Sequence, residues 1–392
     1  MRNFKPPEFV KKIISRLEAE GFAAFMVGGC VRDILLGRRP KDWDVTTSAS
    51  PGIVQSLFEN TVPTGERHGT VTVIMDGNQA EVTTFRSESA YTDHRRPDSV
   101  TFVSDLKEDL RRRDFTINAM AMKPDGTIID YFGGRADLNA RTIRCVGDAR
   151  ERFAEDALRM LRALRFGAEL GFEIEDGTYH ALKDCAALSA FLSPERIRDE
   201  LCRILLSDRP ETISTAIALG LLMSFASPAE VELADLPRLP CKLETRLCCL
   251  CISLLRNGQI KDTAHFLSAL RFDGKTVSLV GKAAALLLSD LPNTKSAIKR
   301  ALSGMGLAPV SLAVEVSRRP EIRILLEEVI ASGDCFSLDR LAVNGDDLLA
   351  LGYRGRELGN ALKFLLEHVI ESPEDNERNI LLNLLKHNPK IP

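Results

Sequence analysis

The chain has 392 residues, 27% of them charged, and a formal net charge of -3. That length holds more than one domain and can bury substantial cores. The near-neutral balance is that of an ordinary soluble protein and does not exclude a nucleic-acid partner, because a basic groove can be local. Nine cysteines, an odd number without framework spacing, favour reduced thiols in the cytoplasm. Met1 to Glu8 is polar with two prolines, which argues against a signal-peptide core, and no apolar run reaches the roughly 20 residues of a membrane helix.

From Phe9 to Glu20 the spacing predicts a helix, with Val10, Ile13, Ile14 and Leu17 on one side and Gly21 at its end. A strand-like run from Ala23 to Val27 enters Gly28-Gly29 and an amphipathic segment from Val31 to Leu36 leaves it, so the pair sits at a strand-to-helix turn. Backbone amides there are free to hold an anion, and Arg32 follows in the first helical turn, in reach of a phosphate. Asp42 and Asp44 stand two apart beside Val45 and Thr46. In a strand, residues i and i+2 share a face, and two carboxylates on one face suit Mg²⁺. A phosphate cradle beside a metal pair points to nucleotidyl or phosphoryl transfer. Neither a P-loop nor a G-x-G-x-x-G is present, so the standard nucleotide folds are not signalled.

Ser50-Pro51-Gly52 caps a short helix through Phe58, and Thr70 to Met75 and Gln79 to Phe85 read as strands joined at Asp76-Gly77-Asn78. Glu81, entering the second of these, is either a third carboxylate of the metal site or a solvent-facing strand residue. Tyr91 to Ser99 is polar, contains proline and lacks periodicity, hence a loop. Arg111-Arg112-Arg113 precedes an apolar segment, the pattern of a solvated charged face. From Arg150 onward strand signals nearly vanish. Phe153 to Phe166 reads as one amphipathic helix with Leu158, Leu161 and Leu164 as its stripe and Asp156 and Arg159 at i and i+3 on one face. Cys248 and Cys251 lie in an apolar run with no second Cys/His pair nearby, the setting of core packing.

Several of these stretches resemble, in order, the motifs of the bacterial-type, class II tRNA nucleotidyltransferases, a family that shares a polymerase-β-like head with bacterial poly(A) polymerases. The resemblance rests on Gly28-Gly29-x-x-Arg32-Asp33 with Asp42-x-Asp44, on Arg112-Arg113-Asp114-Phe115-Thr116-x-Asn118-Ala119, and on Asp130-Tyr-Phe-Gly-Gly134 with Asp137-Leu138. Glu155-Asp156-x-x-Arg159 and Ser193-Pro-Glu-Arg-Ile-Arg-Asp-Glu-Leu201 continue it, with a weaker match at Leu341 to Leu348.

The resemblance implies an α+β protein: a mixed sheet with helices in a nucleotidyltransferase head (1–147), then an all-α neck (148–210), body (211–291) and tail (292–392). Asp42 and Asp44 would be catalytic and bind Mg²⁺. Gly29, Arg32, Arg113, Asp114, Asp156, Arg159, Arg162 and Arg165 would bind the nucleotide, with Asp114 near the ribose 2′-hydroxyl and Asp156 and Arg159 on the base. Neck, body and tail would hold tRNA, CTP and ATP would be the substrates, and the product would be a 3′-terminal CCA. Addition of A alone or of CC alone, poly(A) synthesis, and a non-catalytic RNA-binding relative are the alternatives; the retained loop at Tyr91 to Ser99 argues against CC alone. The state, monomer or homodimer, stays open.

Overall fold

The computed structural model describes residues 6–65, 69–88 and 100–387. They fall into two compact units, within Met1–Glu232 and Leu233–Pro392. The expected loop from Tyr91 to Ser99 lies outside the described residues.

In the first unit, helix α1 (Glu8–Ala19) buries Val10, Ile13, Ile14 and Leu17 completely, the i, i+3, i+4, i+7 stripe of an amphipathic helix. Gly21, at φ +83°, turns the chain out of it. Then come β1 (Ala24–Val27), α2 (Gly29–Leu35), β2 (Asp44–Thr47), α3 (Pro51–Leu57), β3 (Thr61–Gly65), β4 (Thr70–Met75) and β5 (Asn78–Thr84). A ribbon of β6 (Arg86–Glu88) and β7 (Val100–Phe102) precedes α4 (Leu106–Arg111), β8 (Met120–Met122), β9 (Ile128–Asp130) and α5 (Gly134–Ala140).

Seven of these strands form one mixed sheet in the order β3-β4-β5-β2-β1-β8-β9. Within this sheet only β2 and β5 pair in parallel, with Asp44 opposite Glu81 and Val45 opposite Val82. The β4–β5 hairpin closes through Asp76 and Gly77, both at positive φ (+52° and +72°), while Asn78 already pairs with Met75. Two consecutive left-handed residues match the twist of the flanking strands, so the turn is one residue tighter than the sequence suggests.

Gly134 shows why the segment after β9 needs a residue without a side chain. A Cβ there would lie 2.2 Å from the Thr116 carbonyl oxygen and 2.8 Å from Met120 Cγ. α5 therefore packs directly on the 3₁₀ turn Thr116–Asn118, reinforced by Thr116 Oγ1 donating to Asp137 at 2.6 Å. Gly134→Ala should destabilise the unit by about 1–3 kcal/mol through overpacking. Urea unfolding measures this, and an unchanged midpoint would contradict the contact.

The helices that follow are α6 (Ala149–Glu155), α7 (Leu158–Leu170), α8 (Asp176–Cys185), α9 (Pro194–Leu205) and α10 (Ile213–Ala218). α7 packs on α9, the two contributing Leu161, Leu164, Ile197 and Leu201 to the core. α10 packs on both, so the start of the expected body, which sequence places at residue 211, is compacted with the first unit.

One expectation requires correction. Phe153 to Phe166 is not a single helix: α6 ends at Asp156, whose backbone is extended (φ −135°, ψ 103°), and α7 begins two residues later. The physical reason is the aspartate's own side chain, which accepts from Leu158 N at 3.1 Å and satisfies an amide at the start of α7. Aspartate competes for backbone donors in this way and favours helix ends over interiors.

The second unit is helical among its described residues: α11 (Leu243–Arg256), α12 (Thr263–Ala269), α13 (Gly274–Leu288), α14 (Lys295–Met305), α15 (Leu307–Ser317), α16 (Pro320–Ser332), α17 (Gly345–Ala350), α18 (Gly355–Glu371) and α19 (Arg378–His387). α11 packs on α13 and α15, and its Cys248 and Cys251 are fully buried free thiols, as the apolar run around them predicts. Leu341, Val343, Leu348, Leu365, Val369 and Leu381 form a second core. Asn344 caps α17 through a reciprocal box with Asp347. No helix among the described residues is long and apolar enough to cross a membrane.

Candidate active site

The site is assembled around the turn between β1 and α2. Gly28 has φ +78°, and a Cβ there would lie 3.1 Å from Arg113 Nη1 and 3.5 Å from Asp44 Oδ2. Glycine is favoured there by the backbone conformation, and a Cβ would crowd the tip of Arg113. The turn draws Asp44, from β2, and Arg113, from the loop after α4, to one point.

Asp44 is the first residue of β2, while Asp42 lies before the strand and is exposed. The shared strand face expected for the pair is therefore supplied instead by Asp44 and Glu81, which sit opposite each other in parallel register. Burial, aided by the charges of Glu81 and Asp42 and opposed by Arg113, raises the Asp44 carboxyl to about 6. A half-buried carboxylate crowded by two others is an environment that a divalent cation would relieve. Among the described residues no three His, Cys, Asp or Glu side chains converge into a preformed cage.

Arg113 is anchored by Asp109, a fully buried residue of α4. The Asp109 carboxylate accepts from Arg112 Nε and Nη2 at 3.0 and 2.9 Å, from Arg113 Nη2 at 3.4 Å, from Thr46 Oγ1 at 3.0 Å and from Arg86 N at 3.3 Å. Burial opposes its charge, but these arginines and the threonine outweigh burial and hold its carboxyl below the ordinary range. Two of the three arginines in the run are therefore pinned inward rather than solvated. Sequence reasoning missed Asp109, although its position three and four residues before Arg112 and Arg113 is the spacing at which a helical carboxylate meets them.

Arg32, Asn118, Asp114 and Arg162 form one hydrogen-bonded chain. Arg32 Nη1 donates to Asn118 Oδ1 at 2.8 Å, and its other nitrogens bind Asp33 Oδ1 at 2.8 and 2.9 Å. Asn118 Nδ2 donates to Asp114 Oδ1 at 3.1 Å, and Arg162 Nε donates to Asp114 Oδ2 at 2.8 Å. Asp114 is buried, which opposes its charge, yet Arg162 and Asn118 together hold its carboxyl down at about 2. Gly29 lies under this chain: a Cβ on it would meet Arg32 Nη2 at 3.6 Å.

The break between α6 and α7 sets Asp156 and Arg159. Arg196 Nη2, from α9, donates to both Asp156 oxygens at 3.1 and 2.9 Å. Arg159 is held by Glu155 at 2.5 Å and donates to the Arg112 carbonyl at 3.0 Å and the Arg152 carbonyl at 3.2 Å. The two residues thus answer to different partners rather than to each other, so the local ion pair that their spacing allows does not form. The bond of Arg159 to Arg112 joins the neck to the arginine loop of the head, and that of Asp156 to Arg196 ties the α6–α7 break to α9. Arg196 was not a sequence candidate, and a partner forty residues away leaves no local signal.

Arg165 is placed differently from the other expected nucleotide-binding residues. It is 1% exposed, and its charge is met by Glu200 at 2.5 Å and Glu169 at 2.7 Å. Its position on α7 turns it toward α9, beneath the cluster.

Comparison with known proteins identifies the family. Residues 24–144 match the model of the poly A polymerase head domain, and residues 171–227 match that of the probable RNA and SrmB-binding site of polymerase A. The CCA-adding enzyme of Limosilactobacillus fermentum is 39% identical over 96% of each chain, and that of Enterococcus faecalis is 37% identical over 97% of this chain and 96% of its own. The crystal structure of the Bacillus stearothermophilus CCA-adding enzyme in complex with CTP aligns with a TM-score of 0.78 and 34% identity over 98% of both chains. With that identity sustained along the whole length, the chain belongs to the family of CCA-adding enzymes.

Proposed function

We propose that this protein extends the 3′ end of tRNA with C, C and A, taking CTP and ATP as substrates and releasing pyrophosphate. The observation that carries the reading is the convergence on the Gly28 turn of a carboxylate, Asp44, and a phosphate-type cation, Arg113, beside a pinned Asp114 and two side chains, Asp156 and Arg159, suited to a base edge. The 3′-hydroxyl of tRNA attacks the α-phosphate, forming the new phosphodiester as the bond to pyrophosphate breaks. Asp42 and Asp44 would hold Mg²⁺, which when bound would supply positive charge to acidify the hydroxyl and neutralise the triphosphate. Glu81, opposite Asp44, stands as a third carboxylate. Arg32, Arg113 and Arg162 meet phosphate and ribose, with the first amides of α2 beside them.

Base choice follows from donors and acceptors. Cytosine and adenine each present an amino donor beside an unprotonated ring nitrogen; uracil and guanine present a carbonyl beside a ring N–H. Asp156 accepts from the amine and Arg159 donates to the ring nitrogen, so the first pattern is satisfied and the second repelled. Arg196, bound to both carboxylate oxygens, keeps Asp156 aimed. Arg165, buried on its two glutamates, supports α7 from below. The helical neck, body and tail hold tRNA by backbone and shape. Free thiols at all nine cysteines fit the cytoplasm.

The test offers the protein, Mg²⁺ and each NTP singly and mixed to tRNAs lacking CCA, ending in CC, or complete, and sizes the products. Addition of C, C and A followed by arrest is expected. Addition of A alone to the CC-ended tRNA, or an unlimited A tail, would replace the reading with A-addition or poly(A) synthesis.

A further inference from the structure

Phe166 follows Arg165 on α7 and is buried at 6% exposure. Three guanidinium groups surround its ring: those of Arg165, Arg32 and Arg162 lie 3.9, 5.2 and 5.3 Å from the centroid. All three are inside the roughly 6 Å range at which a cation is attracted by the ring quadrupole, an attraction that strengthens when water is excluded. The ring is itself fixed by Phe115, whose centroid is 5.7 Å away at 82°, edge to face. Phe115 is fully buried and directly follows Asp114.

Two of those guanidinium groups, Arg32 and Arg162, are the ends of the chain that runs through Asn118 and Asp114. The hydrogen bonds of that chain, with the ion pairs of Arg32 to Asp33 and of Arg162 to Asp114, fix distances between neighbours but do not set how the two guanidinium groups lie relative to each other. An aromatic ring in contact with both gives them a common attractive surface without using a donor or acceptor. An aliphatic residue of the same bulk would fill the space without that attraction.

We propose that Phe166 is a positioning residue for the nucleotide: its π face, and not its bulk, holds Arg32 and Arg162 in their binding geometry. The inference rests on the reading that these arginines meet CTP and ATP. Binding of CTP and ATP to the full chain is measured with phenylalanine at 166 replaced in turn by mono-, tri- and pentafluorophenylalanine, which weaken the quadrupole stepwise at nearly constant shape, and by leucine (Phe166→Leu). The dissociation constants for both nucleotides are expected to rise at each fluorination step, reaching about tenfold for the pentafluoro ring and for leucine. The dissociation constant for tRNA and the thermal midpoint should stay near those of the parent across the fluorinated series. A flat nucleotide series, or a rise matched by an equal loss of tRNA binding, overturns the proposal. A parent protein that binds neither CTP nor ATP instead overturns the nucleotide reading beneath it.

Discussion

Asp44→Asn is expected to abolish incorporation of both C and A, lowering the rate by about a thousandfold or more, which is roughly 4 kcal/mol of transition-state stabilisation. The substitution keeps the shape of the side chain and its place at the head of β2, so the loss reports charge alone. Single-turnover incorporation on tRNA ending in CC measures it; a rate within tenfold of the parent would remove Asp44 from the metal site. The same change has an opposite signature in stability. Burial, with Glu81 and Asp42 nearby, raises the folded-state carboxyl to about 6 from its ordinary value of 3.8. Between those two values the folded protein keeps a proton that the unfolded chain releases, so this group's contribution to stability falls as pH rises through that window. With divalent cations chelated, Asp44→Asn should therefore unfold no more easily than the parent at pH 7 and should flatten that part of the pH profile. A site built to hold a cation is strained without one, which is the trade of stability for activity expected at reactive centres.

The second large effect is on selectivity. Removing the Asp156 carboxylate should reduce discrimination against UTP and GTP by roughly 1 to 3 kcal/mol, the worth of one good bidentate base contact. Two variants separate the contributions. Asp156→Ala removes the acceptor, the amide cap of Leu158 and the partner of Arg196 together. It should therefore also lose about 1 kcal/mol of stability from the cap. Asp156→Asn keeps an oxygen for the cap and removes the charge, so its loss of selectivity should come with little loss of stability. Competition between CTP and UTP on a tRNA lacking CCA provides the measurement. Unaltered exclusion of UTP in both variants would mean that base choice resides elsewhere.

Much of the head was legible because its signals are local. The stripe of α1, the strand before Gly28, the proline-led α3 and the β4–β5 hairpin are each written in a window of a few residues, where period, turn chemistry and caps act. The motif residues were legible for a different reason: their order along the chain resembles a known family, and whole-length likeness to CCA-adding enzymes confirms that membership. Less visible was how the charged residues choose partners. Arg111-Arg112-Arg113 looks like a solvated run, yet Asp109 draws Arg112 and Arg113 inward. Asp156 and Arg159 look like one another's partners, yet Arg196 and Glu155 take them.

By itself the sequence determined the chemistry available to this protein: a glycine turn able to accept close neighbours, carboxylates of the metal-binding kind, and arginines in numbers that match a triphosphate. It also determined where helices and strands can form, since those depend on neighbours within a turn or two. Only the tertiary structure decided that the helix breaks at Asp156, that Arg165 is spent in the core between Glu169 and Glu200, and that Phe166 stands among three guanidinium groups. Those outcomes depend on which distant elements pack together. A long charged side chain takes its partner from whatever packing brings within reach, because burial makes an unpaired charge far costlier than it is in water.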